Sequence, residues 1–172
     1  MSIRRRTYIA GDWDGDHDLI EAIYAWNESS RWSLSFPDAH ELAQARDSSL
    51  NCSIKSSLRE RLARSNRFVL VVGKKTKTAH SGSCAYCADN AFGTRHCRRN
   101  HPYDPRSYIE FECEYAARHI ENIVVIYNST HVDRTLCPKP LRYKGTHIAA
   151  LEYDTHKGKT WCYQSIREAI NR

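Results

Sequence analysis

Long apolar runs are missing from this 172-residue sequence, and their absence limits where the chain can act. The longest are residues 68–72 (FVLVV) and 123–127 (IVVIY), far short of the roughly 20 apolar residues that cross a bilayer. The apolar stretch behind the basic first residues is also too short for a signal peptide. We therefore expect no membrane span and no export, and a location in the cytoplasm.

Internal repeats and low-complexity tracts are also lacking, and basic residues are dense only at 4–6, 59–67 and 95–99. Lys and Arg number 26 against 20 Asp and Glu, and the net charge of +6 is scattered along the chain. Such a balance can attract polyanions, but a scattered excess more often serves solubility. The length suits one domain, residues 1–172, with a full core. Because export is not expected, the odd number of seven cysteines indicates reduced thiols or metal ligands.

Short β-rich runs alternate with segments of helical periodicity. Strands are predicted at residues 6–10, 32–36, 67–72, 123–127 and 146–151. Helices are predicted after a capping box of Asp18 and Glu21, through residues 54–62, at 107–120 and at 161–170. Two of the strands are apolar without alternation, which is typical of strands covered on both faces. The order predicts an α/β fold with a doubly wound, mostly parallel five-stranded sheet and helices on both faces.

The helix at 107–120 (SYIEFECEYAARHI) carries an acid where an apolar side chain is expected. Five residues form its apolar stripe at helical spacing: Ile109, Cys113, Ala116, Ala117 and Ile120. Glu112 lies inside that stripe, whereas Glu110 and Glu114 point elsewhere and are expected to be solvated. A carboxylate on the core-facing side is costly unless it has a role. Glu112 is therefore either a functional acid in a cleft or a helix-edge glutamate paired with an arginine.

Three aspartates follow the first predicted strand in residues 12–16 (DWDGD). We expect an acidic turn there, which could hold a divalent cation, orient a ribose or only cap the following helix. In a doubly wound sheet, ligands bind in the crevice at the carboxyl ends of the strands. Glu112, one to two turns into its helix, can line the same crevice.

An insert at about residues 74–106 separates the strand at 67–72 from the Glu112 helix. A structureless connection of that length is uncommon in a compact domain unless it has a function. It contains Cys84 and Cys87 in a Cys-x-x-Cys spacing, then Cys97 and His101, with His80 and His96 as further candidates. Cys84, Cys87, Cys97 and His101 could form a tetrahedral zinc site. The alternative is a loop of free thiols.

Three segments together resemble a known family: residues 6–26 (RTYIAGDWDGDHDLIEAIYAW), 53–76 (SIKSSLRERLARSNRFVLVVGKKT) and 107–130 (SYIEFECEYAARHIENIVVIYNST). They resemble the TIR-like domains of bacterial antiphage defence, the Thoeris TIR protein (ThsB-like) group. The resemblance implies a flavodoxin-like or TIR-like fold. The family pattern at the third helix is an aromatic, a small or aliphatic residue, two variable residues and the catalytic glutamate. Here it is Tyr108-Ile109-Glu110-Phe111-Glu112, so the resemblance implies that Glu112 is catalytic.

The resemblance also implies NAD consumption. NAD would be the substrate, its nicotinamide–ribose bond would be cleaved, and the product would be a cyclic or conjugated ADP-ribose signal for a separate effector. The loop after the first predicted strand and the turn at residues 36–38 match regions that line the nucleotide pocket in this group. The candidate nucleotide-binding residues there are Asp12, Trp13, Asp14, Phe36 and Asp38. Self-assembly is possible in this group, whereas a membrane or nucleic-acid partner is not expected.

Two other functions remain open at this point. A non-catalytic TIR-like scaffold would have Glu112 in a salt bridge with no open cleft beside it. A zinc-bearing nucleic-acid module would show clustered basic surface and salt-dependent binding of DNA or RNA.

Overall fold

A parallel sheet forms the centre of the computed structural model, which describes residues 6–31, 34, 36, 50–90 and 95–172. Its strands are β1 (Thr7–Ala10), β2 (Arg67–Val72), β3 (Asn122–Tyr127) and β4 (Thr146–Ala149). They lie in the order β1-β2-β3-β4, and every neighbouring pair is parallel. All six residues of β2 are buried, as its unbroken apolar sequence predicts.

Four helices cover the two faces of this sheet. They are α1 (Trp13–Glu28), α2 (Asn51–Ala63), α3 (Tyr108–His119) and α4 (Tyr163–Asn171). Helices α1 and α4 pack on one face against alternate strand residues such as Val69 and Ile126. Helices α2 and α3 pack on the other face against Phe68 and Val125. No helix in the described part of the chain has the length and apolar character to span a bilayer.

The end of the sheet differs from its prediction. The strand expected at 146–151 stops at Ala149, and the chain bends at Ala150. Two further strands then form an antiparallel hairpin, β5 (Leu151–Asp154) and β6 (Gly158–Trp161). The expected helix at 161–170 begins at Tyr163 instead, since Trp161 is the last residue of β6.

The predicted strand at 32–36 lies mostly outside the described residues. Leu34 and Phe36 are described, and both are buried against the α1 and α4 side of the sheet. Among the described residues the parallel sheet has four strands, and a fifth is not part of it.

The first helix begins earlier than expected. Asp12 occupies its N-cap position without a side-chain capping bond, and residues 13–15 are helical where an acidic turn was predicted. The backbone is kinked at Asp16 (φ −127°, ψ 20°), whose side chain is buried. The predicted capping box of Asp18 and Glu21 is wrong, because Asp18 lies inside the helix.

A capping box does open α3. The Ser107 hydroxyl accepts from the N–H of Glu110, and the Glu110 carboxylate accepts from the N–H of Ser107. Glu114 pairs with Arg106 and Arg118. Glu110 is exposed, as predicted, and also starts the helix, whereas Glu114 is half-buried and joins the helix to the preceding loop.

Candidate functional site

A cavity of about 360 Å³ opens at the carboxyl end of β1. The first residues of α1, the inner face of α2, the loop before residue 82 and the first turns of α3 form its walls. Its lining residues are Ile9, Ala10, Gly11, Asp12, Trp13, Asp14, Ile54, Leu58, Arg61, Ala79, Ser81, Tyr108, Ile109 and Glu112. This is the crevice in which doubly wound sheets bind their ligands.

Glu112 lies at the inner side of this cavity. Its side chain belongs to the buried face of α3 and is only 6% exposed. The hydroxyl of Tyr8, a residue of β1, donates a hydrogen bond to Glu112 Oε1. Burial, and then the negative charge of Glu112, raise the pKa of Tyr8 well above its ordinary value. Tyr8 therefore remains a proton donor, and Glu112 is the acceptor of a fixed, desolvated hydrogen bond.

A buried arginine lines the same cavity. Arg61 on α2 is 8% exposed, and among the described residues its Nε has no hydrogen-bond partner. The Arg61 charge lies near enough to Tyr8 to lower its pKa, against the larger effects of burial and Glu112. A buried donor without a partner costs about 1–3 kcal/mol. An anionic group of a ligand in the cavity would supply that partner.

The predicted nucleotide-contacting residues divide into three groups. Asp12, Trp13 and Asp14 line the cavity with Glu112, and Trp13 is 52% exposed at its edge. Phe36 instead packs in the core beneath α1, where its backbone N–H and carbonyl bond the side chain of Asn27 at 2.9 and 3.0 Å. Asp38 lies outside the described residues.

The first residue of α3 forms another wall of the cavity. The hydroxyl of Tyr108 donates to Asn51 Oδ1 at 3.0 Å, which joins α3 to the start of α2. Its ring lies directly over Gly82, whose φ is +89°. A Cβ at Gly82 would be 2.3 Å from Tyr108 Cδ1, so the ring reaches this position only because residue 82 is glycine.

The cysteine- and histidine-containing insert packs against α2. Cys84, Cys87, Cys97 and His101 all line a second, small cavity, and Cys52 of α2 joins them there. All of these thiols are free. Within the described residues, no group of three or more His, Cys, Asp or Glu side chains is already arranged to hold a metal ion. The sequence spacing missed Cys52, because it lies far from the insert in the chain.

Sequence reasoning also missed Tyr8 and Arg61. Tyr8 occurs in a β-rich run, where an aromatic residue is expected for packing alone. Arg61 occurs among the basic residues between the apolar positions of α2, where solvated side chains are expected. Only the fold brings both to Glu112.

The parallel sheet is covered on both faces, and a buried, hydrogen-bonded glutamate lines the cavity at its strand ends, so the chain is an α/β domain with a cavity at the usual ligand position of such sheets. Residues 8–81 match a family model described as "Thoeris protein ThsB, TIR-like domain". This match confirms the resemblance over that segment. No curated protein matches the chain.

The match covers two of the three segments that carry the resemblance. It extends from Tyr8 to Ser81 and includes β1, α1, α2 and β2. Helix α3 lies beyond it, so the role of Glu112 depends on the geometry of the cavity and on the residue pattern of α3.

Proposed function

We propose that this protein cleaves NAD in antiphage defence and converts it into a cyclic or conjugated ADP-ribose signal that acts on a separate effector. The observation that carries the proposal is the buried Glu112 carboxylate beside a ligand-sized cavity. A second observation is that Asp12, Trp13 and Asp14 line that cavity at the end of β1. The TIR-like match over residues 8–81 supports the same class of chemistry.

The reaction suits a single carboxylate. The bond between the nicotinamide nitrogen and the ribose anomeric carbon breaks, and its electron pair leaves with nicotinamide. Because nicotinamide departs as a neutral group, it needs no proton from the enzyme. Positive charge then develops on the ribose as an oxocarbenium-like species, as in glycoside cleavage. The Glu112 carboxylate stabilises that charge in a site with little water.

The neighbours of Glu112 suit such a role. The Tyr8 hydroxyl holds Oε1 in place and favours the charged form of the carboxylate. Arg61, which lines the same cavity, would attract the pyrophosphate of the substrate through its guanidinium charge.

The alternative of a non-catalytic scaffold is less well supported. It requires that no open cleft reach Glu112, whereas a cavity of about 360 Å³ lies beside that residue.

Turnover of NAD by the full chain, alone and with extract of phage-infected cells, tests the proposal. Glu112→Gln keeps the size of the side chain and removes its charge. We expect about a 10²- to 10³-fold loss in kcat, the usual effect of removing one preorganised electrostatic group. Mass spectrometry of the products identifies free nicotinamide and the ADP-ribose derivative.

Glu110→Gln is the matched control on the same helix. Glu110 is exposed, and glutamine can also close the capping box with Ser107, so helix and turnover should be unchanged. Wild-type turnover by a folded Glu112→Gln variant would contradict the catalytic role. Equal losses in both variants would show an effect on α3 rather than on the chemistry.

A further inference from the structure

Four cysteines and one histidine from two distant parts of the chain line one small cavity, together with Asp89, which pairs with Arg99. Its volume is about 20 Å³, and Cys52, Cys84, Cys87, Cys97 and His101 line it. A space of this size admits about one water-sized sphere, which requires roughly 10–15 Å³. It can therefore hold a single small ion, but no organic ligand.

Local structure brings the four thiols together. Cys84 opens a short 3₁₀ helix (Cys84–Tyr86), and the N–H of Cys87 donates to the Cys84 carbonyl at 3.2 Å. This turn places two thiols near each other, as Cys-x-x-Cys knuckles do. Cys97 lies in a β-bridge with Asn90. Cys52, the second residue of α2, completes the ring from outside the insert.

We propose that Cys52, Cys84, Cys87 and Cys97 bind one zinc ion as four thiolates. His101 then supports the site without being a ligand. Its Nδ1 lies 3.1 Å from the Cys52 sulfur, so an N–H there can donate to the thiolate. His101 is exposed, whereas Cys84 is buried and the other three thiols are half-buried. Hydrogen bonds of this kind orient zinc ligands and tune their charge.

Zinc binding requires the ring to contract. The described side chains surround the cavity without converging in a ligating arrangement, and the thiols are free. An ion at the centre would draw the sulfur atoms to the Zn–S distance of about 2.3 Å. The insert is mostly turns and short 3₁₀ segments with little core of its own, so this binding energy would stabilise its fold.

The site would fix one wall of the Glu112 cavity. Lys55, one turn after Cys52 on α2, donates to the Arg106 carbonyl at 2.6 Å and pairs with Asp104 at 3.2 Å. Asn51, the neighbour of Cys52, accepts from the Tyr108 hydroxyl. Zinc would therefore attach the insert to the same end of α2 that positions Tyr108. This role is structural and does not depend on which reaction occurs in the cavity.

The metal content of the full chain, purified without chelators, tests the proposal. Elemental mass spectrometry should find about one zinc per chain, as a closed structural site requires. After exchange with Co²⁺, a tetrahedral site should show sulfur-to-cobalt charge-transfer absorption, whose intensity counts the thiolates. Four thiolates are expected. A chain that contains no zinc and takes up no Co²⁺ overturns the site, and a spectrum of three thiolates overturns the ligand set.

Three variants assign the ligands independently of activity. Cys52→Ser should lose zinc or bind it much more weakly. His101→Gln should keep zinc with about a 10- to 100-fold loss of affinity, the usual effect of removing a supporting group. Cys162→Ser, which removes a half-buried thiol between β6 and α4, is the control, and its zinc binding should be unchanged. Full retention in Cys52→Ser with loss in His101→Gln would overturn the role given to Cys52.

Discussion

The hydrogen bond from Tyr8 to Glu112 determines what the buried acid can do. A tyrosine hydroxyl that donates to a carboxylate favours its charged form and so counteracts burial, which favours the neutral form. A carboxylate that stabilises a cationic sugar must be charged at the moment of bond cleavage. In the proposed reaction, Tyr8 is therefore a positioning residue that acts through Glu112.

Tyr8→Phe tests this pairing. A hydrogen bond to a charged group contributes about 1.5–3 kcal/mol, so kcat/KM should fall about 10- to 100-fold. Loss of the donor also removes a hydrogen bond that favours the charged carboxylate, which should move the acid limb of the pH–rate profile to higher pH. NAD turnover measured across pH checks both effects.

Tyr153→Phe, which removes an exposed hydroxyl from β5, should leave rate and pH profile unchanged. A Tyr8→Phe variant that loses rate with an unshifted acid limb would contradict an action through the carboxylate. It would indicate a packing defect in the core beside α3.

The sequence predicted the acid of this site but not its partners. The apolar stripe of α3 identified Glu112 as a core-facing residue, because helical periodicity is a local property. Tyr8 and Arg61 could not be found in this way, since their proximity to Glu112 depends on how β1 and α2 pack against α3. The role of Gly82 could not be predicted either, because it depends on the packing of the Tyr108 ring over that residue.

Among the elements, the start of α3 depends on close packing between Gly82 and Tyr108. Gly82 has no side chain, and the ring of Tyr108 fills the place where one would be. The capping box of Ser107 and Glu110 then fixes the first turn of the helix. Glu112 lies one turn further on, so the position of the acid depends on this start.

Gly82→Ala should displace Tyr108 and weaken binding in the cavity. The added Cβ would lie 2.3 Å from the ring, and the φ of +89° is itself unfavourable for alanine by about 1–2 kcal/mol. Isothermal titration calorimetry of the full-length variant with ADP-ribose should show a weaker affinity than that of wild type. Urea unfolding should show reduced stability.

Gly158→Ala separates the effect of the clash with the Tyr108 ring from the effect of the positive φ. Its φ is +75°, but nothing lies within 4 Å of the added Cβ, so it reports backbone strain without a clash. We expect the same order of destabilisation and unchanged affinity. If both variants lose affinity equally, the contact between Gly82 and Tyr108 has no special role in the cavity.

The elements themselves were predicted unevenly. Buried strands β2 and β3 and helix α3 match their predictions closely, because continuous apolar runs and helical stripes follow directly from burial. The hairpin of β5 and β6 was missed, since most of its residues are exposed and carry no hydrophobic pattern. The start of α1 was missed because three aspartates indicated a turn.

At the scale of the whole molecule, Asp16 connects the carboxyl ends of the sheet. The Asn128 side chain after β3 donates to Asp16 Oδ1 at 3.0 Å. The backbone of Gly73 after β2 passes so close that a Cβ there would lie 2.0 Å from the same oxygen. Asp16 is 2% exposed, and within the described residues its Oδ2 has no hydrogen-bond partner.

This buried carboxyl makes global stability depend on pH. Burial raises the pKa of Asp16 above 3.8, the nearby Asp12 and Asp18 raise it further, and the Asn128 hydrogen bond opposes the shift. Its contribution to stability is therefore complete below the unfolded pKa and is lost as pH rises through the folded pKa. Asp16→Asn removes this dependence.

The measurement is the free energy of unfolding in urea for both proteins, from about pH 4 to about pH 7. Wild type should lose stability relative to Asp16→Asn as pH rises, even if the variant begins at a different level. A difference that stays constant over this range would show that Asp16 ionises in the folded protein as it does in the unfolded chain.

The link between β1 and α3 also has a consequence for how the protein is made. Tyr8 and Glu112 are 104 positions apart in the chain. At a synthesis rate of about 5–20 residues per second, the tyrosine is made roughly 5–20 s before its acceptor. A nascent chain therefore has the donor without the acid, and the pair forms only when translation has passed α3.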